Sequence, residues 1–189
     1  MTRRPHNPIR RGLTAIELFV AMAIAAILVT LAVPSMHDWL INQRIISGAS
    51  ELVNSLNYAR SESLQRVKNV EVRFYVDSPR STCYTVGDYG DTTSWCDCTR
   101  GAGRSCPAPL EELRTVSIDT STGVTVTKTT RRSRLVYLAN TGMTAPTEIT
   151  VVVEVAGSNG NVLRVITSHT GRPQICSPDG KIKGYALCS

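Results

Sequence analysis

The stretch Arg10-Arg11-Gly12-Leu13-Thr14-Ala15-Ile16-Glu17 opens an apolar run that continues to Val33 with Glu17 as its only charge. As a helix rising about 1.5 Å per residue, Leu13–Val33 is roughly 31 Å long, enough to cross the hydrocarbon core of a bilayer. An ordinary secretory signal places its apolar stretch before a cut flanked by small residues. Here the glycine comes first, so a cut after Gly12 removes only a basic leader and keeps the helix. A carboxylate in hydrocarbon costs roughly 3 kcal/mol even on a lenient insertion scale, so Glu17 demands a partner. The alternative is an uncleaved transmembrane helix that happens to carry Glu17.

The leader distorts the charge balance. The chain holds 21 basic and 15 acidic residues, but Arg3, Arg4, Arg10 and Arg11 precede the expected cut, leaving 21 − 4 = 17 against 15. Arginines beside a membrane segment keep their end cytoplasmic, which puts everything after Pro34 on the far side. The cysteines agree: Cys83, Cys96, Cys98, Cys106, Cys176 and Cys188 are even in number and all lie on the exported side. In an oxidising compartment such a set reads as disulfides. Zinc is not expected, because the spacing lacks a C-x2-C pair and no histidine lies among the cysteines. Six cysteines allow fifteen pairings. Proximity favours Cys176–Cys188 around the turn signature Pro178-Asp179-Gly180, and then Cys83–Cys96 with Cys98–Cys106.

After Pro34 the apolar residues Ile41, Ile45, Ala49, Leu52, Leu56 and Ala59 recur at three- and four-residue steps. They form one stripe, opposite Gln43, Arg44, Ser47, Ser50, Asn54 and Asn57. The pattern predicts one long helix from Leu13 to about Gln65, its first half apolar all round and its second half amphipathic, with Pro34 absorbed as a kink. Beyond Lys68 the period becomes two. Strands are expected at Val70–Val76, Gly123–Thr127, Arg134–Leu138, Glu148–Val155 and Val162–Thr167, the last two joined by a hairpin loop at Gly157-Ser158-Asn159-Gly160. Thr85 to Pro109 reads as a long loop held by disulfides. Residues 1–12 are thus a leader, 13–33 a transmembrane helix, 34–66 an amphipathic helix and 67–189 a β-rich head. The fold class is α+β: a long N-terminal helix whose amphipathic half packs on an antiparallel sheet.

The order of glycine, apolar run and early glutamate resembles the leader of type IV pilins and pseudopilins. The resemblance implies that prepilin peptidase cuts between Gly12 and Leu13 and N-methylates Leu13. Glu17 then stands at the fifth mature position and Pro34 at the twenty-second, both family landmarks. Leu13 and Ala15 depart from the usual phenylalanine and leucine but stay apolar or small. In a fibre Glu17 would meet the terminal amine of a neighbouring Leu13 and set axial register, a role for which buried ion pairs are good candidates. The strand-rich head and the ending Gly171-Arg172-Pro173-Gln174-Ile175-Cys176-Ser177-Pro178-Asp179-Gly180 are similar to the GspH/FimT/FimU branch of minor pseudopilins.

That branch implies a single-pass inner-membrane precursor with a pilin-like periplasmic head. It enters a type IV pilus or type II secretion pseudopilus beside other pilins and acts in fibre initiation or at the tip. FimT-type members bind DNA through a C-terminal Gly-Arg-x-Arg motif that contacts phosphates. Here the second arginine is Gln174, so weak DNA binding is the alternative reading, with Arg172 first and Arg164, Lys181 and Lys183 as helpers. Arg131, Arg132 and Arg134 form a further basic cluster, which equally reads as solvated strand-edge protection. No catalytic set is evident. His6, His37 and His169 are scattered, and no nucleophile elbow, phosphate loop or zinc-protease motif occurs. Neither a cofactor nor a resident metal is expected, and the chemistry foreseen is done to the chain, at Gly12 and Leu13.

Overall fold

The structure is a computed structural model and describes residues 14–78, 81–90, 94–128, 134–145 and 150–188. Gly12, Leu13, Arg131 and Arg132 lie outside the described residues. The chain divides into two compact units, Met1–Trp39 and Leu40–Ser189.

One helix, α1, runs from Ala15 to Arg66, and its helical backbone is unbroken at Pro34. Val67 follows with φ of 53°, the left-handed position that ends helices and usually belongs to glycine. Within the second unit the anticipated stripe is the buried face: Ile41, Ile45, Ala49, Leu52, Leu56 and Ala59 are all in the core. Each Leu or Ile buried there contributes about 1.5–3 kcal/mol relative to exposure.

Among the described residues the head contains not one sheet but two. In the first, β1 (Val70–Ser78), β2 (Ser81–Asp88), β3 (Glu112–Asp119) and β5 (Arg134–Tyr137) lie in the order β3-β2-β1-β5. In the second, β4 (Val124–Lys128), β6 (Thr150–Gly157), β7 (Val162–Ser168) and β8 (Pro173–Cys176) lie in the order β4-β6-β7-β8. All six strand pairings are antiparallel. Both sheets give alternate residues to the helix stripe, among them Val70, Val72 and Phe74, Tyr84 and Val86, Leu135 and Tyr137, Val153 and Val155, and Leu163 and Val165. The Tyr84 hydroxyl and Ser55 Oγ, 3.1 Å apart, share a hydrogen bond inside this core. Where the β6–β7 hairpin meets the helix, a Cβ on Gly157 would come within 2.6 Å of Ile41 and Ile45. The same hairpin is clasped by Asn42, whose Oδ1 accepts from the side-chain amides of Asn159 at 3.0 Å and Asn161 at 2.8 Å.

Three strands escape the sequence pattern, each for a physical reason. Strand β2 is buried on both faces from Thr82 to Gly87, so it shows no alternation and half of it reads as loop. In β3 the register shifts between Val86 and Gly87 of its partner, leaving Leu113 as the extra residue. This bulge puts Leu113 out of phase with Val116 and Ile118. Strand β8 is a four-residue edge strand opening on Pro173, a position a sheet tolerates only there.

The cysteine loop corrects the expected pairing. The bonds are Cys83–Cys98 and Cys96–Cys106, with Cys176–Cys188 as expected. After β2 the loop doubles back over that strand. Cys96 and Cys106 lie over Gly87, where a Cβ would meet their sulfurs at 2.9 and 3.0 Å. Cys98, further along the loop, therefore reaches Cys83, further back along the strand.

Candidate functional site

The first candidate is the start of α1. Thr14 caps it: the Glu17 amide donates to Thr14 Oγ1 at 3.4 Å and the Leu18 amide to the Thr14 carbonyl at 3.2 Å. Thr14-Ala15-Ile16-Glu17 is thus a capping-box sequence, with the acid in the first turn favoured by the helix dipole. The Glu17 side chain is exposed and has no ion-pair partner among the described residues. Around it the apolar side chains are exposed on every side, Ile16 at 73% and Phe19 at 74%, continuing through Met22, Ile24, Leu28 and Val29. No helix among the described residues is long and apolar enough to cross a membrane.

The second candidate is the C-terminal edge of the second sheet. Gly171 has φ of 74°, and a Cβ there would press on the Gly142 carbonyl oxygen and meet the Tyr137 ring at 3.2 Å. The glycine of the motif is therefore required by the turn and by close packing, whatever the motif binds. Arg172 and Gln174 follow, both exposed, with Gln174 opposite Ile166 on β7. Of the expected helpers, Arg164 lies on the same sheet but donates to Glu154 Oε1 at 2.7 Å on β6. Lys181 sits 3.2 Å from Asp179. The Asp179 carboxyl is held below its ordinary range by the Lys181 amide and ammonium. Lys183 is exposed. Arg134 belongs to the other sheet, beside Tyr89 and Glu71. Among the described residues Arg134 therefore stands on a different sheet from the C-terminal basic residues, and Arg164 and Lys181 are already paired with acids.

Sequence reasoning missed a buried ionic cluster beneath the cysteine loop. Glu71 is fully buried, 3.1 Å from Arg73 Nε and 4.0 Å from Arg134. The two guanidinium groups stack on aromatic rings, Arg73 over Trp95 at 5.6 Å and Arg134 over Tyr89 at 5.2 Å. Burial pushes the Glu71 carboxyl above its ordinary range, against the opposing pull of Arg73, Arg134 and the Gly90 amide. Glu71 and Arg73 at i and i+2 share one strand face. That spacing was a legible signal of pairing, but not of burial. No group of acids, histidines and cysteines among the described residues could hold a metal ion.

Residues 48–171 match the family model of GspH, a type II transport protein. Two crystal structures of the Pseudomonas aeruginosa type IV minor pilin FimU are similar in fold. The first, in space group P21, has a TM-score of 0.52 at 17% identity, covering 70% of this chain and 88% of that one. The second, in P65, has a TM-score of 0.49 at 19% identity, covering 68% and 90%. No curated protein matches the sequence. The family model spans well over half of the chain, its head carries the α+β pilin-like fold, and the chain belongs to the GspH family as a minor pseudopilin.

Proposed function

We propose that this minor pseudopilin is a structural, non-enzymatic subunit that starts or tips a type IV pilus or a type II secretion pseudopilus. The observation that carries this reading is the first part of α1, apolar all round and exposed among the described residues. Such a surface needs an apolar partner, first the inner membrane and then the helices of neighbouring pilins. Glu17, the single charge, then pairs with the methylated amine of a neighbouring Leu13. Prepilin peptidase supplies that amine by cutting after Gly12, and the head stays in the periplasm. Mass spectrometry of the membrane-extracted protein tests this: the expected chain starts at N-methylated Leu13. A mature chain beginning after Ala21 or later sinks the reading.

A second reading, weak DNA binding, is favoured by the exposed Arg172 and Gln174 at one sheet edge. With Arg164 and Lys181 engaged by Glu154 and Asp179, Arg172 and Lys183 carry it. Gln174→Arg should tighten duplex binding and steepen its salt dependence by about one phosphate contact in a salt-series gel shift. If that change and Arg172→Ala are both silent, the edge is structural.

A further inference from the structure

We propose that Trp39 anchors α1 in the periplasmic headgroup layer of the bilayer and thereby holds Glu17 at the cytoplasmic edge of the hydrocarbon, not inside it. This deepens the membrane reading above and rests on it.

Lengths along the helix carry the inference. Between Glu17 and His37 no residue is charged. That uncharged stretch has 36 − 17 = 19 residues, and the backbone is helical throughout it. It rises about 29 Å, close to the roughly 30 Å thickness of a hydrocarbon core. A span set on residues 18–36 puts Glu17 at one boundary and His37 with Asp38 at the other. A span set on residues 13–33 instead sinks the Glu17 carboxylate about 6 Å into hydrocarbon. That position is costly for an acid without a partner, and Glu17 has no ion-pair partner among the described residues. Before assembly no neighbouring amine is present, so the first depth is the favoured one.

Trp39 fixes that depth. It is 55% exposed, and Met36, three residues earlier on the same helix face, is 59% exposed. The Trp39 Cα stands about 4.5 Å beyond that of Met36. Side chains of a helix lean toward its N-terminus, so the indole reaches back over the turn that holds Met36. The ring therefore meets the boundary while its own backbone lies in the wet layer. There the indole finds acyl chains for its ring and carbonyl or phosphate acceptors for its N–H. Water would leave the ring wet, and deep hydrocarbon would leave the N–H unpaired. His37 and Asp38, exposed and 3.9 Å apart, resist any further sinking of this end. Phe19 is the only other aromatic residue from 15 to 39. It has no polar tip, so no second anchor competes.

The test compares the full-length protein in phosphatidylcholine vesicles with its Trp39→Phe variant. The difference in tryptophan fluorescence then belongs to Trp39, and the signal of Trp95 cancels. Lipids brominated near the headgroup should quench that difference several-fold more than lipids brominated near the chain ends. Stronger quenching by the deep bromines overturns the anchor, as does no quenching by either while the protein floats with the vesicles. Protein that does not float with the vesicles ends the membrane reading itself. A second measurement reads Glu17 in inverted inner-membrane vesicles, using a membrane-impermeant carbodiimide with an amine nucleophile and mass spectrometry. Glu17 should react several-fold faster than a carboxylate one turn deeper, in the double variant Glu17→Gln, Ala21→Glu. Equal rates, or an unreactive Glu17, overturn its placement. Trp39→Leu should draw that end inward, push the other toward the cytoplasm and speed the Glu17 reaction. An unchanged rate would show that Trp39 does not set the depth.

Discussion

The two halves of α1 solve the same problem in opposite ways. From Ile16 to Val29 the apolar residues point in all directions and stay exposed. From Ile41 to Ala59 they keep to one stripe, and two sheets of the same chain cover it. Among the described residues the first half has no cover and the second has a complete one. An apolar helix surface thus says where a partner is needed, while its angular width says whether that partner comes from one side or from all around.

The largest expected effect breaks the first half. On the proposed reading, Glu17→Val removes a charge from hydrocarbon, so membrane insertion should persist or improve. Incorporation into sheared fibres should nevertheless collapse, since the neighbouring amine loses its counter-charge. Wild-type amounts of the variant in fibres would end the register role.

A paired truncation sharpens the comparison. Leu52→Ala, in the covered half, should cost about 2–5 kcal/mol in denaturant unfolding of the detergent-solubilised chain. Ile24→Ala, in the uncovered half, should stay within about 0.5 kcal/mol. Similar losses at both positions would mean that the first half is covered by its own chain after all.

The head's self-sufficiency extends to its far side, where the cysteine loop covers the first sheet. Cutting before aspartates and after arginines without reduction should join the Cys83 fragment to Cys98 and the Cys96 fragment to Cys106. The double variant Cys83→Ser, Cys98→Ser should lose about 2–4 kcal/mol, mainly through a freer unfolded chain. A Cys83–Cys96 fragment would return the pairing to simple proximity.

The smallest effect concerns Glu71 under that loop. Burial raises its folded pKa above the ordinary 4.5. The folded state therefore binds this proton more readily than the unfolded state. Its contribution to stability grows as pH falls through the raised value and is complete below the ordinary one. Glu71→Gln should flatten that part of the stability profile, and an unchanged profile would show that Arg73 and Arg134 cancel the effect of burial.

Legibility followed the same divide. The helix stripe and the β6–β7 hairpin carry helical spacing or alternation because each has one covered face and one wetter face, and β1 alternates in sequence because its second face, though buried, holds the ion pair Glu71–Arg73. Strand β2 has no wet face, and the Leu113 bulge shifts β3 out of phase, so neither announces itself. At the C-terminal edge, Arg172 and Gln174 could be read directly. That Arg164 and Lys181 are engaged by Glu154 and Asp179 could not, because the hairpin register and the turn geometry that bring those side chains together are set by the fold.

By itself the sequence determined the α+β class, the apolar helix with its single acid, the use of the cysteines as disulfides and the residues that face the core. These follow from composition and period, which act over a few residues at a time. Tertiary structure alone decided the split into two sheets, the crossed disulfides and the burial of Glu71. Each depends on where a loop lands after its strand ends, and that is set by packing between residues far apart in the chain.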